Sequence, residues 1–157
     1  METHAGGCLC GAVRYETAGA PQRVTVCHCR YCQRATGAAY MVEPIFPLAA
    51  LRVTQGTPAV HSQASAGSGK RVHAHFCAAC GTRLFLTFER WPESCGIYAG
   101  TYDDPGWIVA GPENSRHIFT SVRRPDTVLP AAVALYAEHV AAQDGTPLPA
   151  RVLDAPE

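Results

Sequence analysis

The chain has 157 residues, enough for one modest core but not for two full ones, and its 47% hydrophobic content leans on alanine, which buries little surface. The formal charge is zero, which argues against a general nucleic-acid binder, because displacing phosphate counterions needs a surplus of lysine and arginine. No apolar run approaches the roughly 20 residues that span a bilayer, and the opening Met-Glu-Thr-His-Ala-Gly-Gly has neither a basic head nor an apolar stretch, so the expected setting is the cytoplasm, without membrane or nucleic-acid partners.

In chain order the signals are mostly those of strands. "AVRYET" (12–17) alternates Val13 and Tyr15 with Arg14 and Glu16, the period-2 pattern of a half-buried strand. "RVTVC" (23–27) runs straight into a triple-cysteine stretch, and "AAYMVEPIF" and "LRVTQG" predict two further strands. "PAVHSQ" and "KRVHAHFC" flank "ASAGSG", a glycine–serine turn that predicts a hairpin. "TRLFLTF" and "CGIYAGTY" follow as strands, and prolines at 44, 47, 58, 92, 105, 112 and 125 break the chain too often for long helices before residue 128. Beyond it, "TVLPAAVALYAEHVAAQDG" predicts a helix: Thr127 caps, Pro130 suits the first turn, Gly145 stops it, and Leu129, Val133, Tyr136 and Val140 mark an apolar face. The tail after Gly145 is expected to be irregular.

Eight cysteines in a reducing compartment do not read as a disulfide framework. Seven fall into three tight clusters, Cys8 with Cys10, Cys27 with Cys29 and Cys32, and Cys77 with Cys80; Cys95 stands alone. Zinc takes four tetrahedral ligands at about 2.3 Å from sulfur, which sets the sulfurs roughly 3.8 Å apart. Cys-x-x-Cys meets that spacing through a knuckle, as in "CAACG", where Gly81 relieves the backbone after the second ligand. Cys-x-Cys meets it because side chains at i and i+2 of an extended segment face the same way. Cys8, Cys10, Cys77 and Cys80 therefore close one four-cysteine centre, and closed centres are structural. "CHCRYC" is left with Cys27, Cys29 and Cys32 and no obvious fourth ligand; three protein ligands and an open position describe a catalytic zinc.

Other readings stay open at this point. Cys95 as an eighth ligand would close both centres and leave a purely structural protein. His28 lies inside the triple cluster, but in an extended segment its ring points away from Cys27 and Cys29. His73 and His75 share one strand face, where histidines are commonly solvated or satisfied within the core. Redox exchange at "CAAC" needs the pair to open a helix, and the strand-like "GTRLFLTF" follows instead. Four-cysteine iron–sulfur spacings are absent. Arg14, Arg30, Arg34 and Arg83 sit beside the clusters, where they could offset thiolate charge or hold the carboxylates of an acidic thiol, although a solvated arginine is the plainer reading of each.

"GGCLCGAVRYE" at 6–16, "CHCRYCQRATGA" at 27–38 and "FCAACGTRLF" at 76–85, with weaker matches in "GTYDDP" and "GPENSRHIF", resemble the glutathione-dependent formaldehyde-activating family, which includes the centromere protein V domain. The resemblance implies a mainly β, Mss4-like (β-tent) zinc-binding fold with two zinc ions per chain. It places the structural zinc on Cys8, Cys10, Cys77 and Cys80 and the catalytic zinc on Cys27, Cys29 and Cys32. The implied activity is that of a carbon–sulfur lyase, written in reverse as synthesis of S-(hydroxymethyl)glutathione from formaldehyde and a small thiol, glutathione. With the C-terminal helix added, the expected organisation is a zinc-binding domain over residues 1–127 and a short helix with an irregular tail over 128–157. The competing expectation is a zinc-stabilised binding or scaffold module without turnover.

Overall fold

The computed structural model describes residues 2–65 and 68–157. Its elements are β1 (Thr3–Gly7), β2 (Arg14–Ala18), β3 (Arg23–Cys27), α1 (Arg30–Thr36), β4 (Met41–Pro47), β5 (Leu51–Gln55), β6 (Ala59–Ala64), β7 (Arg71–Phe76), β8 (Arg83–Phe88), β9 (Ser94–Ile97), β10 (Ser115–Ile118) and β11 (Ala134–Leu135), with short 3-10 turns between some of them. The protein is mainly β, as its alternating, proline-punctuated sequence predicts. The elements gather into two compact units, Met1–Gln22 with Pro44–Ile108, and Arg23–Glu43 with Val109–Glu157.

In the first unit β1, β2 and β5 form an antiparallel sheet with β2 central. Tyr15 and Thr17 of β2 are fully buried while Arg14 and Glu16 are half-buried, the alternation that the sequence carries. A meander of β6, β7, β8 and β9 follows, each pair antiparallel, and β9 pairs in turn with the end of β4 through Ile45, Phe46 and Pro47. The β6–β7 hairpin forms as expected, although Ala66 and Gly67 of its turn lie outside the described residues. Val13, Tyr15, Phe46, Leu84, Phe85, Ile97 and Tyr102 make the core, and Cys8 and Cys77 are part of it. Each large apolar side chain so buried contributes about 1.5–3 kcal/mol. Two tyrosine hydroxyls of this core are paired: Tyr15 Oη lies 2.8 Å from Thr101 Oγ1, and Tyr102 Oη lies 2.9 Å from Thr17 Oγ1.

In the second unit β3, β10 and β11 run parallel in the order β11–β10–β3. The cysteine-rich stretch after β3 turns into α1, which the sequence reading did not pick out. Cys29 caps its N-terminus, and Gly37, at φ 68°, ends it in the left-handed conformation that glycine adopts without a Cβ penalty.

The C-terminal helix expected from about residue 128 to Gly145 is not formed. Pro130 is followed by Ala132 at φ 60°, which breaks any helical run, and Ala134–Leu135 pairs instead with β10. The backbone groups of this segment bond to distant residues: Leu129 and Glu157 exchange both N–H···O bonds, as do Leu135 and Arg151. Leu129, Val133 and Leu135 are buried. Two of these three, Leu129 and Val133, also lie on the expected helical face, so the periodicity finds inward-facing residues but misreads their backbone.

Candidate metal centres

The first centre is assembled at the ends of strands. Cys8 follows β1, Cys77 follows β7, and each begins a tight turn that brings back a second cysteine. At Cys8 the Gly11 N–H donates to the Cys8 carbonyl, and at Cys77 the Gly81 N–H donates to the Cys77 carbonyl at 2.8 Å. Gly11 (φ 76°) and Gly81 (φ 75°) close these two turns in a conformation that side chains disfavour. The result gathers the four sulfurs of Cys8, Cys10, Cys77 and Cys80 within 4.8 Å of one another. Cys8 Sγ to Cys10 Sγ is 3.5 Å and Cys10 Sγ to Cys77 Sγ is 3.7 Å. That is the sulfur–sulfur spacing that a tetrahedral zinc imposes, so the donor set fits the ion.

The thiols of this centre are already electrostatically uneven. The Thr82 side chain and backbone draw the Cys80 thiol down to about 5. At Cys10 the Ala12 N–H lowers the thiol, but the neighbouring sulfurs outweigh it and push it up to about 12. Packing four thiols this closely makes each deprotonation depend on the next, a cost that a divalent cation removes by taking all four as thiolates.

The second centre is built by β3 and α1. Cys27 is the last residue of β3, Cys29 is the α1 cap, and Cys32 lies in the first turn. Their three sulfurs lie within 4.8 Å of one another. The Cys32 N–H donates to Cys29 Sγ at 3.3 Å, the place a capping oxygen takes in an ordinary helix. The Cys29 thiol is drawn down to about 3, first by the Cys27 and Cys32 thiols and then by the backbone N–H groups of Cys32 and Tyr31. Cys27 and Cys32 move up, since their protons serve Cys29. Cys27 and Cys32 are buried and Cys29 is half-buried, so Cys29 is the sulfur nearest to solvent.

The remaining expected residues fall as follows. His28 is completely buried, and its Nε2 lies 3.0 Å from His117 Nδ1 rather than among the sulfurs. Burial, with His117 beside it, pushes His28 down to about 4. Gln33, which the sequence reading passed over, holds this loop: its side-chain N–H donates to the His28 carbonyl at 2.7 Å and to the Val122 carbonyl at 3.0 Å. His73 pairs with Ser62 and His75 with Thr87, both outside the two sulfur groups. Cys95 is buried on β9 and belongs to neither group. Arg14 pairs with Asp103, and Arg30 with Gln33. Arg23, Glu43 and Arg116 are charged groups that the sequence does not mark as site residues: the fields of Cys29, Arg116 and Arg23 act on Glu43, and those of Arg23 and Glu43 act on Arg116. A signal for one of them was present, because Arg23-x-Thr25-x-Cys27 alternates along one strand.

Metal content follows from this partition. Elemental analysis should give two zinc ions per chain in the purified protein, and Cys95→Ser should retain both. A ratio near one, or loss of metal from the Cys95 variant, would defeat the two-centre reading.

Comparison with known proteins gives the chain relatives. Residues 3–122 match the family model described as glutathione-dependent formaldehyde-activating enzyme. A Halomonas elongata protein, provisionally named as such an enzyme, is 27% identical over 101 residues, covering 62% of this chain. The aligned part is 64% of that relative's length. A crystal structure of a Rhodobacter sphaeroides protein superposes with a TM-score of 0.51 at 24% identity, over 63% of this chain and 87% of the other, a likeness of fold.

Proposed function

Because the chain belongs to the glutathione-dependent formaldehyde-activating family, we propose that it is a zinc-dependent carbon–sulfur lyase acting on a thiol–carbonyl adduct such as S-(hydroxymethyl)glutathione. The observation that supports this reading is the unequal division of sulfurs, four in one group and three in the other, with no further Cys, His, Asp or Glu donor joining the three among the described residues. Cys8, Cys10, Cys77 and Cys80 form the structural centre; Cys27, Cys29 and Cys32 form the reactive one.

The reaction makes or breaks one bond. In the synthetic direction the thiolate lone pair forms the C–S bond, the carbonyl π electrons move to oxygen, and that oxygen takes a proton. In the lyase direction the hydroxyl gives up its proton, the C=O bond re-forms and the sulfur leaves with the C–S electrons. Zinc, when bound, supplies a Lewis acid that stabilises the substrate sulfur as thiolate and orients it. Cys27 and Cys32 form the buried side of the centre, so water and substrate approach past Cys29. The Cys29 cap holds the centre to the start of α1, and Gln33 fixes the preceding loop by two hydrogen bonds to carbonyls. His28 is turned toward His117, so the residues that would hold the metal are Cys27, Cys29 and Cys32 without it.

The test is spectroscopic. In cobalt-substituted protein, a small thiol should shift and strengthen the sulfur-to-cobalt charge-transfer bands as a further sulfur joins the metal. A spectrum unmoved by thiols would favour the scaffold reading instead.

A further inference from the structure

β6 (Ala59–Ala64) ends its sheet, bonded along one side to β7 and along the other to no strand among the described residues. The ladder fixes which of its backbone groups face outward. Just beyond the last register pair, Ala64 with Arg71, the Ser65 N–H donates to the Lys70 carbonyl at 2.8 Å. Bonded and non-bonded pairs alternate in an antiparallel ladder, so Gln63, His61 and Ala59 bond to β7 as Ser65 bonds to Lys70. The Arg71 carbonyl agrees, since it accepts from the Glu89 N–H just past β8. Val60, Ser62 and Ala64 therefore turn their N–H and C=O groups away from β7, where no backbone group meets them among the described residues. Such edges are normally blunted by charge, proline, a bulge or a covering segment. The other edges follow that rule. β11 is two residues long and its Leu135 exchanges bonds with Arg151; β1 is bridged by Tyr102 at Gly6; β5 carries Arg52, ion-paired with Glu16. β6 does not: it runs Ala-Val-His-Ser-Gln-Ala in unbroken register, and its Val60 is 53% exposed.

We propose that β6 is a dimerisation edge, pairing antiparallel with β6 of a second copy of this chain about a twofold axis at Ser62. With the axis there, Val60 faces Ala64 of the partner subunit, His61 faces the partner's Gln63, and Ser62 faces the partner's Ser62. Every outward N–H and C=O of Val60, Ser62 and Ala64 then finds a partner, because each facing pair of this kind exchanges both bonds. Neighbouring registers do worse. Moving the axis one residue toward the N-terminus sets Ala64 against Pro58 of the partner subunit, which has no N–H to give. Moving it the other way carries Val60 past the end of the partner strand. The side chains suit the central register: a large residue meets a small one at Val60 and Ala64, two small serines meet on the axis, and an imidazole meets an amide at His61 and Gln63. Charge selects the occupant. The strand has no Asp, Glu, Lys or Arg, so it offers nothing to a charged peptide and opposes no like charges in a self-pair. The formal charge of zero adds no net repulsion between two copies. The contact is one short strand wide, at the small end of specific interfaces, so the dimer is weak and half-formed at roughly tens of micromolar. β7, which β6 backs, runs directly into Cys77, so the pairing braces the strand that leads to Cys77 and Cys80 of the four-sulfur centre.

Sedimentation velocity of the zinc-loaded protein from about 1 µM to 1 mM tests the pairing. Wild type should pass from monomer to dimer across that range. Val60→Lys with Ala64→Lys in one chain sets lysine against lysine at both ends of the pair and should raise the dissociation constant at least about tenfold. Val60→Glu with Ala64→Glu should do the same. Mixed in equal amounts, the two variants should recover a dimer, because lysine then faces glutamate, and mixing does not repair a loss of fold. A wild type that stays monomeric overturns the proposal, and one that stays monomeric but binds an extended peptide gives the edge to another partner. A lysine variant that dimerises like wild type, or a mixture that stays monomeric, overturns it too. Zinc content and a cooperative melt check that both variants are folded. Should they not fold, hydrogen exchange in wild type decides alone. The amides of Val60, Ser62 and Ala64 should exchange several-fold more slowly in concentrated than in dilute protein, and equal exchange overturns the dimer.

Discussion

Cys80→Ser should fail to give a folded protein, precipitating or losing its cooperative melt, whereas Cys29→Ser should fold and melt close to wild type. A structural zinc supplies about 10–16 kcal/mol of apparent binding free energy, as much as the roughly 5–15 kcal/mol that a whole domain retains. The first centre joins the turn after β1 to the turn after β7, so its loss unties elements far apart in sequence. Cys80 is the informative position because it is exposed and lies outside the core. Cys8 and Cys77 are core residues, and their substitution would mix lost packing with lost metal. At the second centre serine is a good helix cap, so in Cys29→Ser the new hydroxyl should accept the N–H of Cys32 in place of the sulfur. The centre sits at one end of a seven-residue helix and ties nothing distant in sequence to it. With the cap kept by serine, the variant should lose no more than about 1 kcal/mol, a shift of at most roughly 2–4 °C in Tm for a chain of this length. Circular-dichroism melts with parallel zinc analysis measure both variants. Equal losses of stability would remove the distinction between a structural and a reactive centre.

How far the sequence carried the structure depended on whether the deciding interactions were local. The strands at Tyr15, Val24 and Leu84 follow from two-residue alternation and apolar runs, which is information held within five or six residues. The sulfur groups were legible because ligand geometry translates directly into spacing, Cys-x-Cys and Cys-x-x-Cys each closing a turn on glycine. The C-terminal segment was not legible for the opposite reason. Alanine, Leu129, Val133 and Tyr136 carry helix propensity and helical spacing, but the segment's backbone bonds run to His117, Arg151, Leu153 and Glu157. Propensities worth a few tenths of a kcal/mol per residue yield to a pairing that buries Leu129, Val133 and Leu135. Val133 and Leu135 are themselves two residues apart, so a strand pattern lay under the helical one. The short helix α1 was hidden by chemistry: its cap is a cysteine, and cysteine is not among the usual capping residues. The charged side chains of Arg23, Glu43 and Arg116 escaped notice because they come from three different strands, and only the fold brings their fields together.

Catalysis should disappear in the same variant that stays folded. Exchange between formaldehyde, glutathione and their adduct, followed by NMR exchange spectroscopy, should run faster with wild type than without protein. With Cys29→Ser it should return to the uncatalysed rate. A metal site that stabilises the reacting charges by several kcal/mol accelerates the step by roughly a hundredfold or more. Losing a sulfur that belongs to the three-sulfur group removes that whole contribution rather than a fraction of it. The uncatalysed reaction is itself fast, and cysteine side chains react with formaldehyde, so a blank without protein is an insufficient control. Cys29→Ser at equal concentration answers both objections, because it keeps the other seven of the eight cysteines. Equal rates for wild type and C29S, in a protein whose cobalt form responds to thiols, would retain the open centre and reject formaldehyde as the carbonyl partner. Equal rates with no cobalt response would leave a zinc-stabilised scaffold. Faster exchange in wild type alone assigns the turnover to Cys27, Cys29 and Cys32, since the four-sulfur centre is the same in both proteins.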